Sequence, residues 1–451
     1  MGKKRFHKII LLLSVILMTT ASALLAQNPI IQNQFTADPT ARVFGDSVYL
    51  YPSHDIPAPS GKNLKKDWFC MEDYHVFSSS NMTDWTDHGV IVNQTSVPWA
   101  NPKAYSMWAP DCINKNGKYY FYFPTAPDST YGRGFAIGVA VADNPGGPFK
   151  PEFTPIKKAQ GIDPNVFVNK DGQAYLYWSG RGFMVARLKD NMTELASEPQ
   201  KIDNLPERGL KEGPFLFERN GIYYLTFPHV ENKIERLEYA IGDSPIGPFK
   251  MAGVIMDESP TGCWTNHQSV VNFRNQWYLF YHSNDLSPNF DKNRSVRIDS
   301  LFFNTDGTIR KVIPTFRGVG LTKASNQIQT DRYSRISEKG ASVAFIDSLN
   351  TFGGWKTVFN KKNAWVQYNS VDFGKKEFKT VNFRVASKTG CTLQLRLNSI
   401  NGQLIANVNI PKEEKWNIVK VPVSGLISGI KNLVLSLTDG IEGEVDWISF
   451  E

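Results

Sequence analysis

Cysteine is scarce in this chain. Only four occur in 451 residues, Cys70, Cys112, Cys263 and Cys391, and none forms a C-x-x-C pair. Such spacing excludes the usual structural zinc site. Blocks of like charge are also missing. The formal net charge is +7, from 50 Lys and Arg against 43 Asp and Glu. Lys3, Lys4, Arg5 and Lys8 supply part of that excess. Without these four the chain holds 46 basic against 43 acidic residues, with no basic stripe, so a nucleic-acid partner is not expected. Long apolar runs are absent except near the start. There IILLLSVILM follows the basic KKRFHK and precedes small residues ending at Ala26. The run is too short to cross a bilayer, which takes about 20 residues. Residues 1–26 therefore read as a secretory signal peptide. No Cys follows Ala26, so a lipid anchor there is not expected. The expected product is exported, periplasmic or extracellular, with no membrane partner. Export permits disulfides, but the wide spacing pairs none of the four cysteines, and buried free thiols are expected.

Aromatic residues are plentiful: 29 Phe, 17 Tyr and 11 Trp, or 13% of the chain. Strand-rich proteins and proteins that stack on flat ligands carry such loads. Many of the tyrosines fall in a repeat. A turn residue followed by a Tyr-rich strand recurs as GDSVYLYPS (45–53), NGKYYFYFP (116–124), DGQAYLYWS (171–179), NGIYYLTFP (220–228) and RNQWYLFYH (274–282). Asn-Gly and Asp-Gly favour tight hairpins because glycine takes positive φ without steric cost. Aligned on Tyr49, Tyr120, Tyr175, Tyr224 and Tyr278, the copies lie 71, 55, 49 and 54 residues apart. Each interval has room for one four-stranded sheet. A second echo, AVADNPGGPFK (140–150) and YAIGDSPIGPFK (239–250), sets Asp143 and Asp243 100 residues apart. The spacing predicts a five-bladed β-propeller over residues 27–322; an all-β sandwich is the alternative.

About 11 or 12 residues before each aligned Tyr stand Asp38, Trp108 with Ala109, Asp163, Glu212 and His267. The first strand of a propeller blade lines the central channel, so these positions converge on one axial site. Three carboxylates there suit inverting glycoside hydrolysis. One neutral acid protonates the leaving oxygen and one ionised base activates water. A third carboxylate raises the acid's pKa. The longer arm of Glu212 suits the acid, and an Asp on the channel wall suits the base. The competing reading of the Asp-Pro pairs is a strand-start turn device. Trp108 and Trp264 are candidates for an apolar wall against a sugar ring, with core packing as the alternative. His267 is one nitrogen near the axis. Calcium prefers oxygen ligands and would need waters and carbonyls beside it.

The motifs ADP, MWAPD, GIDPNVF, EGPFLF and NHQSVV, in this order over residues 28–320, resemble glycoside hydrolase family 43. The resemblance implies a five-bladed propeller and an inverting mechanism. It implies that Asp38 is the general base, Asp163 the pKa-modulating and orienting residue, and Glu212 the general acid. It places His267 beside an axial calcium or an ordered water, with no cofactor required for the chemistry. NRSVRIDSLFFNTDGTI resembles the family's closing region, where an arginine contacts sugar; Arg294 matches best, with Arg297 as the alternative. The family mostly releases arabinofuranose or xylose from plant polysaccharides, and some members act on galactans. The polar insertion at 51–79 offers His54, Asp55 and Asp73 as sugar contacts, with solvated loop polarity as the alternative.

After PTFRGVG comes a break. Residues 326–451 then carry alternating runs such as VNFRVAS, CTLQLRLNS and WNIVKVPV, which predict an antiparallel β-sandwich. WVQYNSVDFG, LQLRLNSINGQLIANVNIP, a loop Trp (Trp416) and the ending VDWISF resemble a family 6 carbohydrate-binding module. The resemblance implies sugar stacking by Trp416. Glu444 stands where that family carries Asn, and Gln329 with Asp331 where it carries an acidic calcium pair. The sequence thus predicts an exported, inverting glycosidase acting on a polysaccharide or oligosaccharide. An α-L-arabinofuranosidase or β-D-xylosidase is expected. An exo-galactan hydrolase and a non-catalytic sugar-binding propeller are the rivals. Nothing in the sequence bears on oligomeric state.

Overall fold

The computed structural model describes residues 28–451 apart from Asn63, Lys66 and Glu207. The signal peptide expected at residues 1–26 lies outside the described residues. The chain is all-β and falls into a five-bladed propeller followed by a β-sandwich. Among the described residues no helix is long and apolar enough to cross a membrane.

Four antiparallel sheets of four strands and one of three make the blades. Their innermost strands are Ala37–Phe44, Asp111–Lys115, Ile162–Val168, Phe215–Arg219 and Ser269–Phe273. Each pairs with the Tyr-rich strand of the repeat: Ser47–Ser53, Lys118–Thr125, Ala174–Gly180, Ile222–Val230 and Gln276–Ser283. The aligned tyrosines occupy matching registers, opposite Arg42, Ile113, Phe167, Phe217 and Val271. The fifth sheet lacks a fourth strand, and the chain start lies against its outer strand. Ile30 N–H donates to Val296 O (2.9 Å) and Thr36 N–H to Arg294 O (2.9 Å). The Asn28 side chain donates to Ile298 O (3.0 Å) and accepts from Ile298 N (2.8 Å). These bonds close the ring.

Between blades the tyrosines act as staples. Tyr51, Tyr122 and Tyr177 each stand two residues after an aligned Tyr. Their hydroxyls donate to Pro145 O, Met192 O and Pro245 O of the following blade, each at 2.6 Å. Pro145 and Pro245 belong to the two echoed segments, so the echo marks a shared blade contact. Phe149 and Phe249 of the same segments are buried. A buried phenol needs a partner for its hydroxyl, and a loop carbonyl of the next blade provides one.

The sandwich has two sheets. One runs Thr322–Lys323, Trp365–Asp372, Ile430–Gly440, Cys391–Leu397 and Leu404–Ile410. The other runs Ala341–Phe345, Trp355–Phe359, Gly443–Phe450, Thr380–Ser387 and Glu413–Pro422. Phe359, Phe383, Leu393, Leu435 and Ile448 fill the space between them. Contacts join it to the propeller: the Phe35 and Phe352 ring centroids are 4.9 Å apart, Arg317 Nε donates to Asn369 O (3.0 Å), and Arg332 donates to Asn28 O. Trp416 lies on the edge strand Glu413–Pro422, not in a loop as expected. Arg384 sits over its ring at 5.0 Å. All four cysteines are buried and free.

The inner hairpins differ in one instructive way. Asn116-Gly117 and Asn220-Gly221 turn with both residues at positive φ, as a type I′ turn demands. In the fifth blade Arg274 (φ 51°) and Asn275 (φ 64°) do this without a glycine. A left-handed side-chain-bearing residue costs roughly 1–2 kcal/mol, less for Asn. Replacing the pair by Arg274→Asn with Asn275→Gly is expected to stabilise the protein by about 1 kcal/mol. Thermal melts of the double variant check this; an unchanged or lowered midpoint contradicts it.

Candidate active site

Asp38 and Asp163 begin the innermost strands of the first and third blades, each directly before a proline. Both hold positive φ, 45° and 56°. At each, the pairing with the neighbouring strand slips, between Ala37 and Thr40 and opposite Tyr177–Ser179. A bulge of this kind re-aims a side chain, and the strained backbone is one that surrounding contacts must hold. The two aspartates therefore leave the pleat together. Glu212 is offset by one residue from the register the sequence suggested. Its following residue, Gly213, takes the pre-proline position at φ 58°, where glycine meets no steric penalty. The extra residue of backbone and the longer side chain together bring the Glu212 carboxyl to the same pocket.

That pocket is lined by Asp38, Asp163, Glu212, Trp108, Trp264, His267 and Arg294, with Trp68, Phe69 and Met71. Asp38, Asp163, Glu212, Trp108, Trp264, His267 and Arg294, all singled out from the sequence, thus reach it. Arg297 does not; it is buried in a pair with Asp285, which leaves Arg294 as the arginine of the pocket. The insertion after the first blade's second strand behaves differently from expectation. His54 and Asp73 pair with each other at 2.7 Å and do not line the pocket. Asp55 is fully buried against Arg294. The residues that do line it from this segment are Trp68, Phe69 and Met71. Phe69 stands 6.0 Å from Trp108 and 6.4 Å from Trp264 by ring centroids, so three aromatic rings form one wall.

Arg294 is clamped from two sides. Its Nη1 donates to Asp38 Oδ1 (2.6 Å) and Nη2 to Asp38 Oδ2 (3.1 Å), while Nε and Nη2 reach the two oxygens of Asp55 at 2.9 Å each. Ser53 Oγ adds a bond to Asp38 Oδ2 (2.7 Å). Burial works to raise the Asp38 pKa, but Arg294 and then the histidines outweigh it and bring it down to about 2. Asp38 is therefore charged throughout the working range. His282 is neutral, pushed down to about 3 by burial and by Arg294. Its Nδ1 accepts from Asp38 N–H (3.1 Å) and its Nε2 donates to Thr265 O (3.0 Å).

The opposite side of the site behaves in the opposite way. Burial and the charge of Glu212 push Asp163 up to about 7. Burial also raises Glu212. The two share a proton preference because like charges in one dry site resist joint ionisation. Asp163 Oδ2 accepts from Ser179 Oγ (3.0 Å) and from Gly213 N (2.9 Å). These donors favour its charged form and offset part of the burial that raises it. Behind Glu212 lies a fourth carboxyl, Glu235, fully buried and in contact with it.

His267 lines the pocket, with its Nδ1 3.9 Å from Asp38 Oδ1, and that oxygen is already held by Arg294. Calcium takes roughly six to eight oxygen ligands, so an ion on His267 would draw most of them from water.

Comparison with known proteins gives the chain its place. Residues 26–309 match the model of glycosyl hydrolases family 43, and residues 337–451 match the carbohydrate binding module of family 6. The chain belongs to glycosyl hydrolases family 43. It is 38% identical over 329 residues to a xylosidase/arabinosidase 43A of Humicola insolens, covering 62% of this chain and 98% of the relative. It is 28% identical over 470 residues to an arabinoxylan arabinofuranohydrolase of Bacillus subtilis (strain 168), covering 88% and 86%. Among solved structures it resembles a family 43 β-xylosidase/α-arabinofuranosidase from a compost microbial metagenome in complex with xylotriose, described as a calcium-free form. The TM-score is 0.58, with 36% identity, 64% of this chain and 97% of that one. An arabinoxylan arabinofuranohydrolase from Bacillus subtilis in complex with cellotetraose aligns over 95% of this chain and 99% of its own, with TM-score 0.56 and 26% identity. The protein is a glycosidase of this family, with chemistry that requires no cofactor.

Asp55, offered as a sugar contact or as loop polarity, is instead the buried partner of Arg294. Two contributors were not legible beforehand. Phe69 lay in a segment read for its charges. Glu235 opens the strand ERLEYAIG, where no local motif marks it as part of the site.

The raised pKa of Asp163 carries a stability consequence. A carboxyl whose folded pKa lies above its unfolded value contributes stability that is complete near pH 4 and is lost as pH rises toward 7. Asp163→Asn removes that loss. The variant is expected to melt higher than wild type at pH 8, by about 1–2 kcal/mol in stability, with the difference closing at pH 4, while activity falls. Melts from pH 4 to 8 check this; a gap independent of pH contradicts it.

Proposed function

We propose that the protein removes terminal α-L-arabinofuranosyl or β-D-xylosyl units from xylan-type chains or oligosaccharides, with inversion at the anomeric carbon. The observation that carries this reading is the meeting of Asp38, Asp163 and Glu212 in one aromatic-walled pocket, with only Asp38 clamped by a guanidinium. Asp38 is pinned as an anion by Arg294, and Glu212 is raised by burial beside Asp163. An inverting hydrolase needs one ionised and one neutral carboxyl across the scissile bond. Asp38 takes a proton from the attacking water as that water bonds to the anomeric carbon. Glu212 gives its proton to the departing glycosidic oxygen. Asp163, anchored by Ser179 and Gly213 N–H, orients Glu212 and discourages its early ionisation. Arg294 holds Asp38 in place and lines the innermost part of the sugar pocket. Trp108, Trp264 and Phe69 give the ring an apolar face. The relatives named for xylose and arabinose release support the sugar class. Trp416, beside Arg384 on the sandwich, is a stacking contact for polysaccharide, and residues 1–26 direct export to the periplasm or beyond.

Hydrolysis of aryl α-L-arabinofuranoside and aryl β-D-xyloside by wild type and Asp38→Ala tests the reading. Activity on at least one of them and a loss of about 10³-fold or more in the variant are expected. Undiminished activity in Asp38→Ala contradicts the base assignment. Glu212→Ala is expected to lose far more activity on an unactivated oligosaccharide than on an aryl glycoside with a good leaving group. Proton NMR of the first-formed product reports the anomer, and retention contradicts the mechanism.

A further inference from the structure

Glu235 opens the third strand of the fourth blade and has no solvent exposure. Its N–H donates to Trp264 O (3.1 Å), and its Oε2 accepts from Asn266 N (2.5 Å). Its other oxygen, Oε1, is buried and has no donor among the described residues. The group its carboxyl meets is the carboxyl of Glu212. Two carboxylates are acceptors only, so contact between them is repulsive unless a proton lies in it. A buried anion with a single backbone donor costs several kcal/mol, which makes the double anion the least favourable state of the pair. Glu212 borders the pocket, where solvent and substrate reach it. Glu235 does not, so its charge has nowhere to be hydrated. The other titratable groups facing the pair are Asp38, Asp163, Arg294 and, from the next blade, His267. Of these only Arg294 is permanently positive, and Asp38 and Asp55 already neutralise it.

We propose that Glu235 is a positioning residue for the acid, a carboxylic acid that stays neutral and donates a hydrogen bond to Glu212. This rests on Glu212 being the general acid. The bond has two effects. It fixes the Glu212 carboxyl so that the oxygen facing the pocket carries the transferable proton. It also stabilises the Glu212 carboxylate once that proton has gone to the leaving oxygen, which makes Glu212 a stronger acid than burial alone would allow. The proton on Glu235 is not consumed. Asp38 releases the proton it took from water, Glu212 regains one from solvent, and the Glu235 proton stays in place through the cycle.

Difference infrared spectroscopy of the full chain, wild type against Glu235→Gln, reads the proton directly. Above the basic limb of the wild-type pH profile, the carbonyl stretch of a neutral carboxylic acid is expected in wild type and missing in Glu235→Gln. Its absence from wild type overturns the proposal, since Glu235 is then ionised. The pH dependence of kcat/KM reads the consequence. Glu235→Gln keeps a donor toward Glu212 and is expected to keep the basic limb and about a third or more of the wild-type rate. Glu235→Leu removes the donor and is expected to move the limb up by about one pH unit, a tenfold change in proton affinity. It should also lose about tenfold more kcat on oligosaccharide than on an activated aryl glycoside. Limbs that stay together in both variants reduce Glu235 to a support for the Trp264–Asn266 segment and overturn the proposal. Should the basic limb survive in Glu212→Ala, the acid itself is misassigned. The infrared band is independent of that failure.

Discussion

The innermost strand of each blade has no strand beside it on the axis, and its unpaired backbone groups must be satisfied by something else. Side chains from the neighbouring blades do this. Val166 N–H donates to Asp111 Oδ2 (2.6 Å), Leu216 N–H to Asn165 Oδ1 (2.9 Å) and Ala41 N–H to Ser269 Oγ (2.9 Å). Arg42 closes on Asp111 from the first blade, with Nε 3.0 Å from Oδ1. Buried backbone groups left without partners cost about as much as a lost hydrogen bond. The axis of this propeller is therefore obliged to be polar, and carboxyls from different blades meet there out of water.

The active site is that same arrangement turned to chemistry. Gly213 N–H donates to Asp163 Oδ2 just as Val166 N–H does to Asp111, and Asp38 N–H finds His282. These carboxyls differ from one another in charge balance. Asp111 has Arg42 and Asp38 has Arg294, but Asp163, Glu212 and Glu235 share a region with no guanidinium of their own. The bulges at Asp38 and Asp163, with φ positive before proline, show that the backbone is strained to bring these groups together.

Much of this was legible in order. The Tyr-rich repeat announced five blades because a hairpin turn and a half-buried aromatic strand are local features, written in consecutive residues. The alignment of Asp38, Asp163, Glu212 and His267 upstream of it followed from the repeat, as did the tryptophans of the wall. The reading went astray where the local pattern was ambiguous. His54 and Asp73 look as suited to sugar as Asp55 does, yet they pair with each other. Trp416 opens the alternating run WNIVKVPV; the resemblance to family 6 modules placed it in a loop, and it lies on an edge strand.

The sequence by itself determined the number of blades, the presence of a second β domain and three of the carboxyls near the axis. These depend on periodicity and turn chemistry, which act over a few residues. Only the tertiary structure decided which carboxyl is ionised and which is neutral. Arg294 is 256 residues from Asp38 and 239 from Asp55, and the clamp among them exists only when the ring closes. Glu235 meets Glu212 for the same reason. Protonation answers to distance and burial across blades, and neither is written along the chain.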